Sequence, residues 1–334
     1  MKWGVISTAN IGTTKVIPAM QQSDKLEILA IAGRDLEKTR EVAENLRIPR
    51  AYGSYEELLA DPSIEAVYNP LPNHLHVEWT IKALEAGKHV LCEKPIGMDT
   101  EDAQRLIDAR DKSGKQVLEA FMVRHHPQWQ HAQELVTSGQ IGDLTAVQSI
   151  FTYHNTDPGN VRNKKDIGGG GLLDIGCYCI IGPRYITGRE PVRVVSLMDK
   201  DPKFGTDRLV SGMLDFGSGV QASFVCGTQS AAVQRVHILG TEGRIEIVMP
   251  FNPVPENPAL IRVGTQKQPG FGEAREITFP ICNHYTLQGE TATAIFNGEI
   301  EVDYPIEDAI ANMKILDGLA RSARTGSWEM VDQK

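Results

Sequence analysis

The sequence predicts an α/β protein with two parts: an N-terminal doubly wound parallel sheet, then a C-terminal α+β domain built on a largely antiparallel open sheet. Three observations carry this expectation. Short apolar runs alternate with amphipathic helical stretches over the first 120 residues. Past residue 120 the alternation gives way to β-branched runs joined by glycine-containing turns. The 334-residue length, with 41% hydrophobic and 23% charged residues, suits two cores of ordinary size. The expected domains are 1–122 and 123–334, the first of Rossmann type and dinucleotide-binding, the second for substrate and oligomerisation.

The opening of the chain sets the first domain. Trp3 to Ser7 is an apolar strand, Ser7-Thr8-Ala9-Asn10-Ile11-Gly12 a turn of small and polar residues, and an amphipathic helix follows to about Gln22. A second strand, Leu26 to Ala32, ends in Gly33-Arg34-Asp35. The G-x-G-x-x-G fingerprint is degenerate, with Ser7 and Ala9 at its first two positions and only Gly12 retained. Small residues still let a pyrophosphate approach the backbone, and the helix start near Asn10 offers its amides and positive dipole end. The same pattern also fits an ordinary strand-to-helix turn. After the second strand, Gly33 stands where an acid would favour NAD by binding the ribose hydroxyls. Arg34 and Lys38 are instead two cations suited to a 2′-phosphate, so NADP is expected over NAD. Asp35 is read as the N-cap of the helix that follows.

The alternation continues through the strand Ala66-Val67-Tyr68 and the turn Asn69-Pro70-Leu71-Pro72-Asn73-His74-Leu75-His76 to a helix capped by Gly87. Asn73, His74 and His76 are candidates for touching cofactor or substrate, with helix capping and packing as the competing role for the histidines. The apolar run His89-Val90-Leu91-Cys92 then stops at Glu93-Lys94-Pro95. Proline cannot continue the strand, so the Lys94 ammonium is displayed at its carboxyl end, where open α/β sheets bind ligands.

In the second half, strands are expected at 144–153, 192–198, 208–216, 220–226, 233–239 and 244–248, with hairpin turns at Asp215 to Gly219 and Gly240 to Gly243. A final amphipathic helix runs from about Ile306 to Arg324. Helices on one face of such a sheet leave the other needing a cover, which suggests pairing of subunits as a homodimer or homotetramer. The run Gly168-Gly169-Gly170-Gly171 removes side chains where something flat or bulky could approach the backbone, or is simply a flexible loop. From Leu172 a helix places Asp174 and Tyr178 on one face, an acid and a phenol suited to proton chemistry or to a structural contact.

Charge and cysteine usage exclude other classes. The net charge of −9, from 34 Lys and Arg against 43 acids, argues against a general nucleic-acid binder. The five cysteines contain no C-x-x-C pair, so neither a disulfide framework nor a metal site is expected. No signal-like segment and no run approaching the roughly 18 apolar residues of a membrane span is present, and the expected location is cytoplasmic.

Glu93-Lys94-Pro95, Asn160-Val161-Arg162, Asp174-Ile175-Gly176-Cys177-Tyr178 and Asn283 to Gln288, together with the turn through Gly12, resemble the glucose-fructose oxidoreductase/inositol dehydrogenase/MocA family of NAD(P)-dependent sugar oxidoreductases. Tyr178 and Ala32-Gly33-Arg34-Asp35 are similar to the branch with NADP-linked aldose (xylose-type) dehydrogenases, dihydrodiol dehydrogenases and anhydrofructose reductases. The resemblance implies hydride transfer between nicotinamide C4 and a sugar-like carbon, aldose C1–OH to lactone or the reverse reduction of a keto sugar. Tyr178 is then the general acid/base, Lys94 the ammonium that favours its phenolate, and Asp174 the group that orients the substrate or Lys94. Cofactor contacts are implied for Ser7, Thr8, Ala9, Asn10, Ile11, Gly12, Gly33, Arg34, Lys38, Pro70, Leu71, Asn73, His76, Glu93, Lys94 and Arg124, and substrate contacts for Arg162, His154 and Tyr285. One departure is His125-His126-Pro127 after Arg124, where relatives often carry an aromatic before His-Pro. Reduction of a nucleotide-linked keto sugar, or turnover of a dihydrodiol or dicarbonyl substrate, is the alternative within the family. A non-catalytic NADP-binding regulator is the alternative of another class.

Overall fold

The computed structural model describes residues 1–268, 270 and 272–332. The chain forms two compact units, one of Met1–Met122 with Asn283–Ile310, the other of Val123–Cys282 with Ala311–Lys334.

The first unit is built on six strands, β1 Lys2–Ile6, β2 Glu27–Ala32, β3 Arg50–Tyr52, β4 Ala66–Asn69, β5 His89–Cys92 and β6 Val117–Glu119. All are parallel, in the order β3-β2-β1-β4-β5-β6. The order reverses between β1 and β4, the switch point at whose carboxyl side doubly wound sheets bind ligands. Burial on both faces explains the continuous apolar runs: β4 is wholly buried, and Val5, Ile6, Ala30 and Ile31 are inaccessible. The helices include α1 Ile17–Met20, α2 Leu36–Asn45, α3 Tyr55–Ala60, α4 His76–Glu85 and α5 Thr100–Ser113. The sequence supplies their caps. Asp35 accepts from the Lys38 amide (3.2 Å), Ser54 from Glu57 (3.1 Å) and Asp99 from Asp102 (2.8 Å), and Gly87 and Gly114 close helices at φ +76° and +66°.

Segment 283–310, which the sequence reading placed in the second domain, packs in the first unit. Its helix, following α6 Pro127–Thr137 and α7 Cys177–Thr187, is α8, His284–Phe296. Trp3 donates its indole N–H to Thr293 (3.1 Å), the Phe296 ring lies 5.6 Å from Trp3 and 4.7 Å from His89, and Thr286 donates to the Ala19 carbonyl (2.8 Å). Gly289 makes the close approach, since a Cβ there would press on Met20 at 2.9 Å.

The second unit carries β7 Leu144–His154, β8 Arg193–Lys200, β9 Asp207–Asp215, β10 Gln221–Gly227, β11 Gln229–Gly240, β12 Gly243–Ile247, β13 Ala259–Thr265, β14 Arg275–Phe279 and β15 Glu329–Met330. Their order is β14-β13-β12-β11-β7-β10-β9-β8-β15, antiparallel throughout except for β10 on β7. The two expected hairpins are present, β9–β10 through Gly217 and Gly219 at positive φ, and β11–β12 through Gly240 to Gly243. β13, β14 and β15 add to the six strands expected. Along the strands burial alternates: Val194, Val210, Leu214, Val236 and Ile238 are buried, while Leu197, Leu209 and Met213 are exposed. The last helix, α9 Ile306–Thr325, is fastened to β8 by Ser196, whose hydroxyl donates to the Leu319 carbonyl (2.6 Å) and whose amide donates to Ser322 (3.0 Å). Among the described residues, no helix is long and apolar enough to cross a membrane.

Candidate active site

In the first unit, the candidate residues gather at the carboxyl ends of β1, β2, β4 and β5. Ser7, directly after β1, has φ +140°, a conformation L side chains rarely adopt and the physical reason a glycine is usual there. Its hydroxyl accepts from the Ala9 amide (3.0 Å), closing the turn. Thr8, Ala9 and Ile11 are half-buried and Asn10 is exposed. The helix then opens with a π-type turn, Gly12–Val16, before α1. Thr14 donates to the Asn10 carbonyl (2.7 Å), and Pro18, which has no amide hydrogen, stands in the first turn of α1. A Cβ on Gly12 would meet Pro70 at 3.5 Å and Tyr68 at 3.6 Å, ordinary contact, so the protein around it does not itself require glycine.

Gly33 is different. A Cβ there would collide with the Thr39 hydroxyl, which is held by the Asp35 carbonyl (2.6 Å). A side chain at Gly33 would have to displace the Thr39 hydroxyl, so the packing favours the glycine found there. Arg34 is exposed and within electrostatic range of Tyr55, and Lys38 is exposed on α2.

After β4, Pro70 and Leu71 are buried and Asn73 is half-buried. His76 differs from its expected role. It is 1% exposed, and its ring nitrogens lie 2.7 Å from the Pro95 carbonyl and 2.6 Å from the Leu71 carbonyl. Burial outweighs both carbonyls and pushes the imidazole down to about 4. His76 thus ties the β4 turn to the β5 turn instead of facing a ligand. Glu93 likewise works inside the protein: it accepts the Tyr68 hydroxyl (2.8 Å) and the Lys94 amide (3.3 Å). Lys94 is half-buried at the end of β5, its peptide to Pro95 is cis, and Ile96 beyond it donates to Glu119 (2.8 Å). Tyr285, expected at the substrate, is a buried residue of this unit. Burial, with the Glu93 carboxylate, pushes its phenol upward.

In the second unit, Asp174 and Tyr178 stand at the start of α7, which opens with a second π-type turn, Leu172–Gly176. Tyr178 is 5% exposed, its ring edge-on to Phe151 (5.8 Å between centroids) and tilted on Phe251 (5.6 Å). Asp174 Oδ2 accepts from both the Tyr153 hydroxyl (2.6 Å) and Arg162 Nε (2.8 Å). Asp174 is thus held within this unit by a phenol and by the Arg162 guanidinium, which it engages in turn. The Asp174 carboxylate beside it holds the Arg162 guanidinium well above its usual range, with the Tyr178 phenol a lesser contributor. Burial and the same carboxylate push the Tyr153 phenol up. His154 is exposed at the end of β7, and Arg124 is buried in the turn Met122–His125. His126 N-caps α6 by accepting the Gln128 amide at Nδ1 (3.1 Å), which requires a neutral ring; burial lowers it to about 4.

The glycine run also has a local explanation. A Cβ on Gly169 would lie 2.6 Å from the carbonyls of Arg162 and Lys164, and one on Gly170, whose φ is +124°, would collide with the Asp207 carboxylate. What approaches this backbone is the protein itself. Sequence reasoning missed Tyr68, Tyr153 and Asp207. Tyr153 carried a signal, since it shares a β7 face with Phe151 two residues earlier. Among the described residues, no group of three or more His, Cys, Asp or Glu could hold a metal, and the five cysteines are free thiols.

Comparison with known proteins places this arrangement. Residues 1–121 match the model of the oxidoreductase family with an NAD-binding Rossmann fold, and residues 129–246 match the GFO/IDH/MocA C-terminal domain. The chain belongs to the GFO/IDH/MocA oxidoreductase family. It is 45% identical over 333 residues to an uncharacterized oxidoreductase of Rhizobium meliloti, covering 99% of each chain. It is 37% identical to D-xylose 1-dehydrogenase (NADP(+)) 2 of Haloferax volcanii, covering 99% of this chain and 100% of the relative. In structure it is similar to KijD10, a 3-ketoreductase from Actinomadura kijaniata solved with NADP and TDP-benzene. That likeness has a TM-score of 0.89 and 27% identity, covering 96% of this chain and 97% of the reductase.

Proposed function

We propose that this family member is an NADP-dependent sugar dehydrogenase that oxidises an aldose at its C1 hydroxyl to the lactone. The observation carrying the reading is the fixed Tyr178 phenol beside the Asp174–Arg162 pair, on a family scaffold whose β2 end carries glycine at position 33 and the exposed cation Arg34 after it. Residues of the first unit fit the cofactor: the Ser7 turn and the bare Cα of Gly12 suit a pyrophosphate, and Arg34 and Lys38 suit the 2′-phosphate. When bound there, NADP would supply the hydride acceptor. The Tyr178 phenolate takes the hydroxyl proton as the C1–H electron pair leaves and the C=O forms. Arg162, within electrostatic range of the phenol, supplies positive charge that stabilises the phenolate, a role the family resemblance also gives to Lys94. Xylose as the xylose-type substrate is supported by the relative's name.

The likeness to a 3-ketoreductase supports a second reading, reduction of a nucleotide-linked keto sugar, in which Tyr178 returns the proton. A panel of pentoses and hexoses with NADP, run beside keto sugars with NADPH, separates the two. NADPH formation with an aldose is expected; turnover of keto sugars alone overturns the first reading, and turnover of neither overturns both. In the same assay Arg34→Ala is expected to raise KM for NADP by about tenfold or more, the scale of one charge-assisted fork to phosphate, and KM for NAD far less. Equal losses for both cofactors would remove Arg34 from the phosphate site.

A further inference from the structure

The helix that carries Asp174 and Tyr178 begins without a cap of its own. Its first turn, Leu172–Gly176, follows Gly171, which has no side chain to accept the opening amides. Asp207, the first residue of β9, supplies the missing acceptor. Its Oδ2 takes the Leu172 amide at 2.6 Å, and the Gly171 amide also donates to its carboxylate. The glycine run lets this happen: any side chain on Gly170 would displace the carboxylate, and a Cβ on Gly171 would already touch the Asp207 carbonyl and Thr228 at 3.5 Å.

We propose that Asp207 is a positioning residue for the reaction, a cap delivered from a neighbouring strand that fixes the start of the helix bearing Asp174 and Tyr178. The inference rests on the reading of Tyr178 as general acid/base. A cap of this kind controls more than fraying, because Asp174 and Tyr178 sit two and six residues after the capped amide. A small rotation of the turn would carry the phenol away from a substrate oxygen, and displacements of about 1 Å cost about a hundredfold in rate.

The charge of the cap matters too. The groups in electrostatic range of Asp207 are its cross-strand partner Lys200 on β8, which favours the carboxylate, and the buried Cys226 thiol on β10. Burial pushes the Asp207 carboxyl up to about 6 against the pull of the amides and Lys200. Its folded value lies above the unfolded one, so the stability linked to protonation is full below the unfolded value of 3.8 and is lost as pH rises through about 6. The fold therefore favours the neutral acid, while the ionised form is the stronger acceptor for two amides at a helix start. Weakening of the cap on protonation gives turnover an acid limb near the same pH.

Asp207→Ala and Asp207→Asn test this in the full chain. Hydrogen exchange read over residues 168–178 is expected to speed about tenfold in the alanine variant, the size of a lost cap, with protection elsewhere in the unit unchanged. Turnover is expected to fall by about tenfold or more with NADPH affinity intact. Asparagine, which keeps a carbonyl acceptor, is expected to restore most of the protection and to remove the acid limb of kcat near pH 6. Wild-type exchange in the alanine variant overturns the proposal, as does wild-type kcat or an acid limb that survives in the asparagine variant. Exchange needs no turnover. If the unmodified protein oxidises and reduces no sugar while exchange still responds, the catalytic assignment of Tyr178 falls and the cap remains.

Discussion

Tyr178→Phe is expected to lower kcat about a thousandfold while leaving NADPH affinity within about twofold of wild type. The substitution removes one oxygen. The phenyl ring keeps its contacts with Phe151 and Phe251, whose own rings stack at 4.9 Å, so the aromatic cluster that fixes the side chain survives. What disappears is the group that exchanges a proton with the reacting oxygen, and a positioned acid/base contributes about a hundredfold to ten-thousandfold. The effect should fall on kcat more than on KM, because proton transfer is made only in the transition state. Steady-state kinetics together with titration of NADPH fluorescence separate the two quantities. A variant with wild-type kcat would take Tyr178 out of the chemistry and leave the aromatic cluster as its whole role.

Patterns of one period were readable from the chain alone. The fully buried strands of the first sheet read as apolar runs, and Asp35 was legible as a cap because its side chain bonds an amide three residues on. Less legible were features that depend on residues distant in sequence. Nothing in the order of the chain announces that α8 returns to the first unit, since the reason lies in Trp3, Met20 and His89, more than 190 residues earlier. The strand β13 follows a segment with prolines at 250, 253, 255 and 258, which obscures its short run, and β15 is two residues long.

The site shows the same division. Lys94, Asp174 and Tyr178 stood out by residue type and spacing, but their partners did not. Spacing along a helix put Asp174 with Tyr178, whereas its bonds run to Tyr153 and Arg162, 21 and 12 residues earlier. The glycine run was noticeable without its cause, because Asp207 lies 37 residues beyond Gly170. His76 was a candidate for touching cofactor or substrate, and only the fold shows its ring set between the Pro95 and Leu71 carbonyls, to one of which the neutral imidazole donates.

Asp174→Ala is expected to damage both stability and turnover, in proportions that identify its role. Its Oδ2 is the common acceptor for a phenol at 2.6 Å and a guanidinium nitrogen at 2.8 Å, and the Asp174 side chain is only 12% exposed. Breaking a fully buried ion pair costs about 3–5 kcal/mol, but Arg162 is 42% exposed and water recovers part of that, so a loss of about 1–3 kcal/mol is expected. Asp174→Asn leaves a neutral acceptor for one donor at a time, and its melting point should fall between those of the alanine variant and the wild type. Tyr153→Phe removes only the hydroxyl donor, so a double-mutant cycle between positions 153 and 174 isolates that bond, with a coupling of about 1.5–3 kcal/mol expected for a hydrogen bond to a charged group. Turnover should fall about a hundredfold in Asp174→Asn, because Arg162 loses the anchor that holds its charge near the Tyr178 phenol. If melting and turnover both stayed at wild-type values, the three residues would be neighbours without a shared function. If stability fell and turnover did not, Asp174 would be a structural clasp without a part in positioning the Arg162 charge.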